Sequence, residues 1–280
     1  MTKQNILITG CSSGIGLCAA EILHQRGYNV VATVRQAPDA ARLQQLGITT
    51  TILELADSKS IQQAFHFTLA HFNGQIDALF NNAAYGQPGA IEDLSRDVLR
   101  EQFETNVFGT QELSNLIIAQ MRKQGHGRII YNSSVLGIIS MAYRGAYNAS
   151  KYALEGLADT LRQELYGSNI TISLIEPGPI LSQFRTNAFA KYQQHITKEN
   201  SIHKDTYVAM EQRLTKQGPA APFTLPAEAV VKKLIHALEN KRPKIRYYVT
   251  FPTYLFATLK RLLPHRCLDW VLIKISKSEN

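Results

Sequence analysis

Tyr147 and Lys151 stand four residues apart in Tyr147-Asn148-Ala149-Ser150-Lys151. On a helix that spacing sets both side chains on one face, one above the other. A phenol beside an ammonium ionises more readily than a free one, because the positive charge favours the phenolate. Tyr147 is thereby a candidate acid and base working near neutral pH. The same spacing also suits an ordinary helix start with a tyrosine packed on a lysine stem. The pair gains weight only from what precedes it in the chain.

What precedes it includes Thr9-Gly10-Cys11-Ser12-Ser13-Gly14-Ile15-Gly16, between the apolar run Ile6-Leu7-Ile8 and a helical pattern. Glycines in a strand–turn–helix context let the backbone approach a pyrophosphate, which then rests on the helix N-terminus. Gly10, Ser12, Ser13, Gly14, Ile15 and Gly16 are the candidate contacts. An acid that would hold a ribose 2′-hydroxyl is missing at the end of the second apolar run. Arg35 stands there instead, in Ala32-Thr33-Val34-Arg35. Its planar fork suits a 2′-phosphate, so NADP is expected over NAD.

The elements that must position these groups alternate along the chain. Ile6–Ile8, Tyr28–Val34, Thr49–Leu55, Ile76–Phe80, Gly127–Tyr131 and Ile170–Ile175 read as strands, and Ile245–Val249 as a last one. Between them lie helical patterns: one opened by Gly14-Ile15-Gly16, a short one at Arg42–Leu46, one capped by Ser58, a long one from Ser95 to about Met121, and Ala146–Tyr166. Pro226 starts another through Val230, Val231, Leu234 and Leu238. The alternation argues an α/β fold, a Rossmann-type doubly wound parallel sheet with helices on both faces. One dinucleotide-binding domain over 1–280 is expected. The polar stretch at about 184–218 interrupts the rhythm and is read as an inserted helical lid.

Composition narrows the classes. The chain has 280 residues and 45% hydrophobic content, enough for a full core. Cys11, Cys18 and Cys267 lack metal-ligand spacing and fit free thiols in a reducing compartment. The eight histidines are scattered, so no metal site is expected. The opening Met1-Thr2-Lys3-Gln4-Asn5 leaves no room for a signal peptide, and no apolar run approaches the ~20 residues of a membrane span. Net charge is +8, yet the first 231 residues carry 19 charges of each sign. From Lys232 onward there are 11 Lys and Arg against three acids, so the excess belongs to the tail. A nucleic-acid role is not expected, because the basic residues lack an aromatic stacking platform and a binding motif.

Taken in order, the glycine turn, Asn81-Asn82-Ala83, Asn106, Ser134, Tyr147 with Lys151, and Pro177-Gly178 resemble the short-chain dehydrogenase/reductase family. The turn, Ala-Thr-Val-Arg, Ser173-Leu174-Ile175-Glu176-Pro177-Gly178-Pro179-Ile180 and the basic tail resemble a bacterial subgroup of NADP-dependent aldehyde reductases, related to 17β-hydroxysteroid and retinol dehydrogenases. The resemblance implies that Tyr147 donates the proton in carbonyl reduction and accepts it in alcohol oxidation. It implies that Lys151 lowers the tyrosine's pKa and binds the nicotinamide ribose. Ser134, thirteen residues before the tyrosine, would hold the substrate oxygen. Asn106 would bend its helix and hold a water leading to Lys151. Asn82 and Ala83 would border the adenosine ribose, and Glu54-Leu55 would stand where the family has an Asp and an aliphatic residue against adenine. Pro177, Gly178, Ile180 and Ser182 would wrap the nicotinamide. Ala84 departs from the family's glycine.

Ile138, Ile139, Met141, Tyr143, Phe184, Phe189 and Tyr192 suggest an apolar pocket, favouring a lipophilic carbonyl or alcohol over a sugar. Steroid, retinoid, fatty aldehyde and acyl-dihydroxyacetone phosphate substrates all stay open. An NADP-binding regulator or redox sensor without turnover is the alternative. In the tail, about 251–280, Phe251, Tyr254, Leu255, Thr258, Leu259 and Leu262 line one helical face. Cys267, Leu268, Val271, Leu272 and Ile275 line a second, after Pro264. Basic amphipathic helices of this kind lie in a membrane interface, cap the protein's own core or cover a subunit interface. The expected location is cytoplasmic, with membrane association if the tail docks. Ser95–Met121 and Ala146–Tyr166 form dimer faces in many relatives, so the resemblance leaves a homodimer open, against a tail that could block or replace those faces.

Overall fold

The computed structural model describes residues 4–278. Its strands are β1 (Asn5–Ile8), β2 (Asn29–Val34), β3 (Thr49–Ile52), β4 (Ala78–Asn81), β5 (Gly127–Asn132), β6 (Ile170–Glu176) and β7 (Arg246–Tyr248). They form one sheet in the order β3-β2-β1-β4-β5-β6-β7, with every pair parallel. The order reverses between β1 and β4. In such sheets the crevice at the carboxyl ends of the strands beside the reversal is where ligands bind.

Alternation along β1 shows why both faces must be covered. Ile6 and Ile8 pack on one face with Val230, Val231 and Leu234, while Leu7 packs on the other with Leu113 and Ile117. The first face carries α1 (Gly14–Gln25), α2 (Ala37–Gln45) and α9 (Glu228–Glu239). The second carries α3 (Ser58–His71), α5 (Thr110–Gln124) and α6 (Gly145–Glu164). Each such side chain contributes about 1.5–3 kcal/mol when fully buried. Strands buried on both sides therefore read as near-continuous apolar runs.

Local chemistry shifts several expected boundaries. The short second helix begins at Ala37, not Arg42, because Pro38 suits a first helical turn. The cap of α3 is Asp57, whose Oδ1 accepts from the Lys59 amide at 2.9 Å; Ser58 instead donates to Glu112. Ser95 does cap its helix, accepting from the Val98 amide. That helix is not continuous to Met121. It divides into α4 (Arg96–Phe103), a π-helical turn (Glu104–Gly109) and α5. The π turn carries Asn106.

Gly109 closes that turn against the loop after β3. A Cβ added there would lie 1.7 Å from the Leu55 carbonyl oxygen. The obstacle is backbone, so relief requires moving an element. Gly109→Ala is expected to cost about 3 kcal/mol, at the upper end for overpacking. A thermal melt should show Tm falling by roughly 6–12 °C; an unchanged Tm would mean that the approach is not tight.

The insertion forms α7 (Phe184–His195) and α8 (Lys204–Thr215), which pack on each other through Ala188, Tyr192, Tyr207 and Met210. The tail forms α10 (Phe251–Leu262) and α11 (His265–Ser278). Its expected stripes fare differently, and the first is split, with Leu259 packing inward on the cluster around Ile139. Leu268, Leu272 and Phe256 bury against Ile139, and Val271 and Ile275 pack on that cluster. Phe251, Tyr254, Leu255 and Leu262 stay exposed. No helix among the described residues is long and apolar enough to cross a membrane.

Candidate active site

A cavity of about 1170 Å³ opens at the carboxyl ends of the strands, beside the reversal of strand order. Its floor begins at the turn after β1. Gly10 and Gly14 there adopt φ of 72° and 57°, which L side chains rarely tolerate. A Cβ on Gly10 would meet Ala83 at 2.8 Å, and one on Gly14 would meet Ser182 at 3.0 Å. Gly16 does not line the cavity. It lets α1 press on the turn, where a Cβ would lie 2.1 Å from the Gly10 carbonyl oxygen. Ser13 caps α1 without a side-chain hydrogen bond, leaving the helix's first N–H groups open to an anion.

Hydrogen bonds tie this turn to Lys151 across three strands. The Thr9 hydroxyl accepts from the Asn82 and Ala83 amides, each at 2.9 Å. Asn82 donates to the Thr9 carbonyl, and its own Oδ1 accepts from Asn132 at 2.9 Å. The Asn132 carbonyl then accepts from Lys151 Nζ at 2.8 Å. Asn132 Oδ1 lies buried with no hydrogen-bond partner, on the cavity wall. Asn132, Thr9 and Thr33, whose hydroxyl accepts from the Gly10 amide, were missed from the sequence. A polar residue at or beside the carboxyl end of each of these three apolar strands was the available signal.

The hydroxyl pair sits farther along the same cavity. Ser134 caps a short turn after β5, its oxygen accepting from the Leu136 amide at 3.1 Å. It also hydrogen-bonds the Tyr147 phenol. Ser133 does not: its buried hydroxyl has no partner. The Tyr147 ring packs edge-on against Phe184 of α7, centroids 5.2 Å apart. Lys151 Nζ lies 5.6 Å from the centroid of the Tyr147 ring.

The electrostatics correct one expectation. Burial pushes the Tyr147 phenol above its ordinary value, and the Ser134 hydrogen bond only partly opposes this. The ammonium next to it is turned to the Asn132 carbonyl, so its charge does not dominate the phenol. Burial likewise lowers Lys151 to about 8, against the attraction of Glu155 one turn on. Tyr147 in this setting is a protonated phenol at neutral pH, suited to giving a proton.

The remaining candidates divide. Arg35, Glu54, Leu55, Pro177, Gly178, Ile180 and Ser182 all line the cavity, with Ser12, Ser13 and Ile15. Glu54 folds back, accepting from the Ala56 amide at 3.1 Å. Asn106 does not reach the cavity wall. It accepts from the Tyr85 amide at 3.1 Å and donates to the Tyr85 carbonyl and to Ser150. It therefore clamps the loop after β4 to α6 beside Lys151. Of the expected apolar wall, Ile139, Met141 and Phe184 face the cavity. Tyr192 is 2% exposed and belongs to the α7–α8 core, with Tyr143 and Phe189 packed on it; Ile138 packs under the tail. Leu181, Phe223, Phe251 and Leu255 supply wall that was not expected.

The residues present fit a nicotinamide dinucleotide. The turn offers a cradle that side chains would fill, the helix N-terminus offers unpaired N–H groups, and the buried Asn132 Oδ1 offers an unmet acceptor.

Comparison with known proteins agrees. The family model described as short chain dehydrogenase matches residues 4–193. The chain is 41% identical over 270 residues to the uncharacterized oxidoreductase YbbO of Escherichia coli, covering 96% of this chain and 94% of that protein. It is 32% identical over 272 residues to human retinol dehydrogenase 8, covering 92% and 85%. The crystal structure of a short-chain dehydrogenase from Streptomyces avermitilis superposes with a TM-score of 0.75 at 25% identity, over 99% of this chain and 96% of that one. With its parallel sheet, glycine turn and Ser134–Tyr147–Lys151 cluster in one cavity, the chain belongs to the short-chain dehydrogenase family of oxidoreductases.

Proposed function

We propose that the protein is an NADP(H)-dependent oxidoreductase that reduces the carbonyl group of a lipophilic aldehyde or ketone. The observation that carries this reading is one cavity lined by the glycine turn, the Ser134–Tyr147 pair and an apolar wall together. The nicotinamide supplies the hydride. Ser134 and Tyr147 hold the substrate oxygen with two donors already oriented, which meets negative charge as it develops there. Tyr147 gives the proton, and its raised pKa keeps that proton available at neutral pH. Lys151, the Asn132 carbonyl and the Asn82 side chain hold the ribose end of the site and the turn in one register. Phe184, Met141 and Leu255 exclude water from the reacting carbonyl and select an apolar chain. The similarity to a protein named for retinol supports a lipophilic substrate.

Arg35 supports NADP. It is exposed at the cavity edge after β2, and no ion pair to an acid holds it among the described residues. A charge-assisted hydrogen bond contributes about 1.5–3 kcal/mol. Arg35→Ala is expected to lower kcat/KM with NADPH by roughly tenfold or more, leaving the NADH value within about twofold. The test is NADPH and NADH oxidation, followed by absorbance, across aldehydes and ketones of increasing chain length. Turnover that rises with chain length is expected. Tight NADPH binding with no turnover on any carbonyl would overturn the enzyme reading in favour of a regulator.

A further inference from the structure

The tail helices are held by one side only. Their inner residues Phe256, Leu268 and Leu272 bury against Ile139. Their outer residues form an apolar face that the other described residues leave largely exposed. On α10, Phe251, Tyr254, Leu255 and Leu262 fall at i, i+3, i+4 and i+11, one side of a helix, and Leu262 is 73% exposed. On α11, Trp270 is 59% exposed and Ile273 54%.

Cations border this face. Arg261, Arg266, Lys274 and Lys277 are all exposed on the two helices, and Asp269 is the one acid among their described residues. Lys274 Nζ sits 3.7 Å above the centroid of the Trp270 ring. An apolar strip with an indole, flanked by lysine and arginine, is the composition of a helix lying in a bilayer interface. Anionic headgroups match its charge. A second copy of the chain matches it poorly, because the same surface would bring like charges together.

The face also runs into the cavity. Phe251 and Leu255 line the cavity wall while remaining exposed, and Phe223 packs on Phe251 with centroids 5.0 Å apart. We propose that α10 and α11 dock the protein on an anionic lipid bilayer, with the cavity mouth at the membrane surface and the substrate entering from the lipid. The docking stands on the exposed face and its charge. The entry route rests on the lipophilic-carbonyl reading of the cavity.

The chain contains a single tryptophan, so Trp270 fluorescence reports on this face alone. The full chain is mixed with phosphatidylcholine vesicles with and without phosphatidylglycerol. A blue shift and co-sedimentation with the anionic vesicles are expected, both weakened by salt, with little of either on pure phosphatidylcholine. Leu262→Glu combined with Ile273→Glu should abolish both, yet keep NADPH-dependent turnover of a short, water-soluble aldehyde, since neither residue lines the cavity. Absence of binding to anionic vesicles overturns the proposal. So does a concentration-dependent blue shift without lipid, which would assign the face to a second copy. Binding to soluble polyglutamate but not to vesicles would assign it to an acidic protein. Vesicle binding without carbonyl turnover would reject the enzyme reading and the entry route while leaving the docking intact.

Discussion

Tyr147→Phe is expected to retain NADPH binding and to lose turnover by roughly 10²–10⁴-fold, the range for removing a general acid. The substitution deletes one oxygen and leaves the ring in its edge-on contact with Phe184. Ser134 keeps its bond from the Leu136 amide, so the local turn survives. Loss of the Ser134 hydrogen bond should cost about 1 kcal/mol of stability at most. Cofactor titration and single-turnover kinetics separate the two effects. The pH profile adds a sign. Burial raises the phenol, so the protonated form persists above neutral pH. Reduction by the unsubstituted protein should stay level through neutral pH and decline only on the alkaline side. Alcohol oxidation, which needs the phenolate, should climb there. Near-normal turnover by the phenylalanine variant would remove Tyr147 from the reaction.

What could be read in advance follows the range of the interactions. The glycine turn was legible because strand, turn and helix are contiguous, and positive φ at Gly10 and Gly14 is a local demand. Tyr147 and Lys151 were legible because one helical turn joins them. The raised phenol was not, because its sign is set by burial from Phe184 and the strand ends, distant in sequence. Tyr192 was misplaced for a related reason. A polar helix with one buried aromatic gives no stripe, and its partner Tyr207 lies on another helix. The break in the helix at Asn106 was expected from the family resemblance alone; the π turn there ends where Gly109 packs on Leu55, a contact no periodicity records. In the tail the α11 stripe was legible, but the buried side of α10 was not: Thr253, Phe256 and Ala257 lay outside the expected stripe, and Leu259 of that stripe packs inward, because the side that faces the body depends on Ile139.

Arg246→Met is expected to destabilise the fold by about 3 kcal/mol, with the largest loss at alkaline pH. Arg246 begins β7 and gathers three carboxyl groups. It donates to Glu176 at 3.0 Å, Glu155 at 2.9 Å and Asp159 at 2.8 Å. Glu176 is 0% exposed, and burial together with the charge of Glu155 pushes its carboxyl well above the usual range. Arg246 opposes that rise. Asp159 is lowered instead, since the hydrogen bonds from Arg246 and Arg162 outweigh its burial. The signs follow from linkage. Folded Glu176 keeps a proton that the unfolded chain releases above the ordinary carboxylate range, so its contribution falls as pH rises toward the raised value. Asp159 contributes above the ordinary range and loses that contribution on acidification. Removing the guanidinium leaves buried Glu176 without a counter-charge and drives it further toward the protonated form, and it takes from Asp159 one of the donors that hold that carboxyl low. The penalty should therefore be least on the acid side of the ordinary carboxylate range and grow through neutrality. Glu176→Gln in the same chain should recover part of it, because an amide needs no counter-charge. Denaturant melts of both variants across pH read the effect. A pH-independent loss, unrelieved by Glu176→Gln, would show that Arg246 acts by packing rather than by charge. The consequence reaches the site. Glu155 stands one turn beyond Lys151 on α6 and raises that lysine's pKa against its burial. A guanidinium from the last strand thereby fixes the charge behind the lysine that faces the cavity.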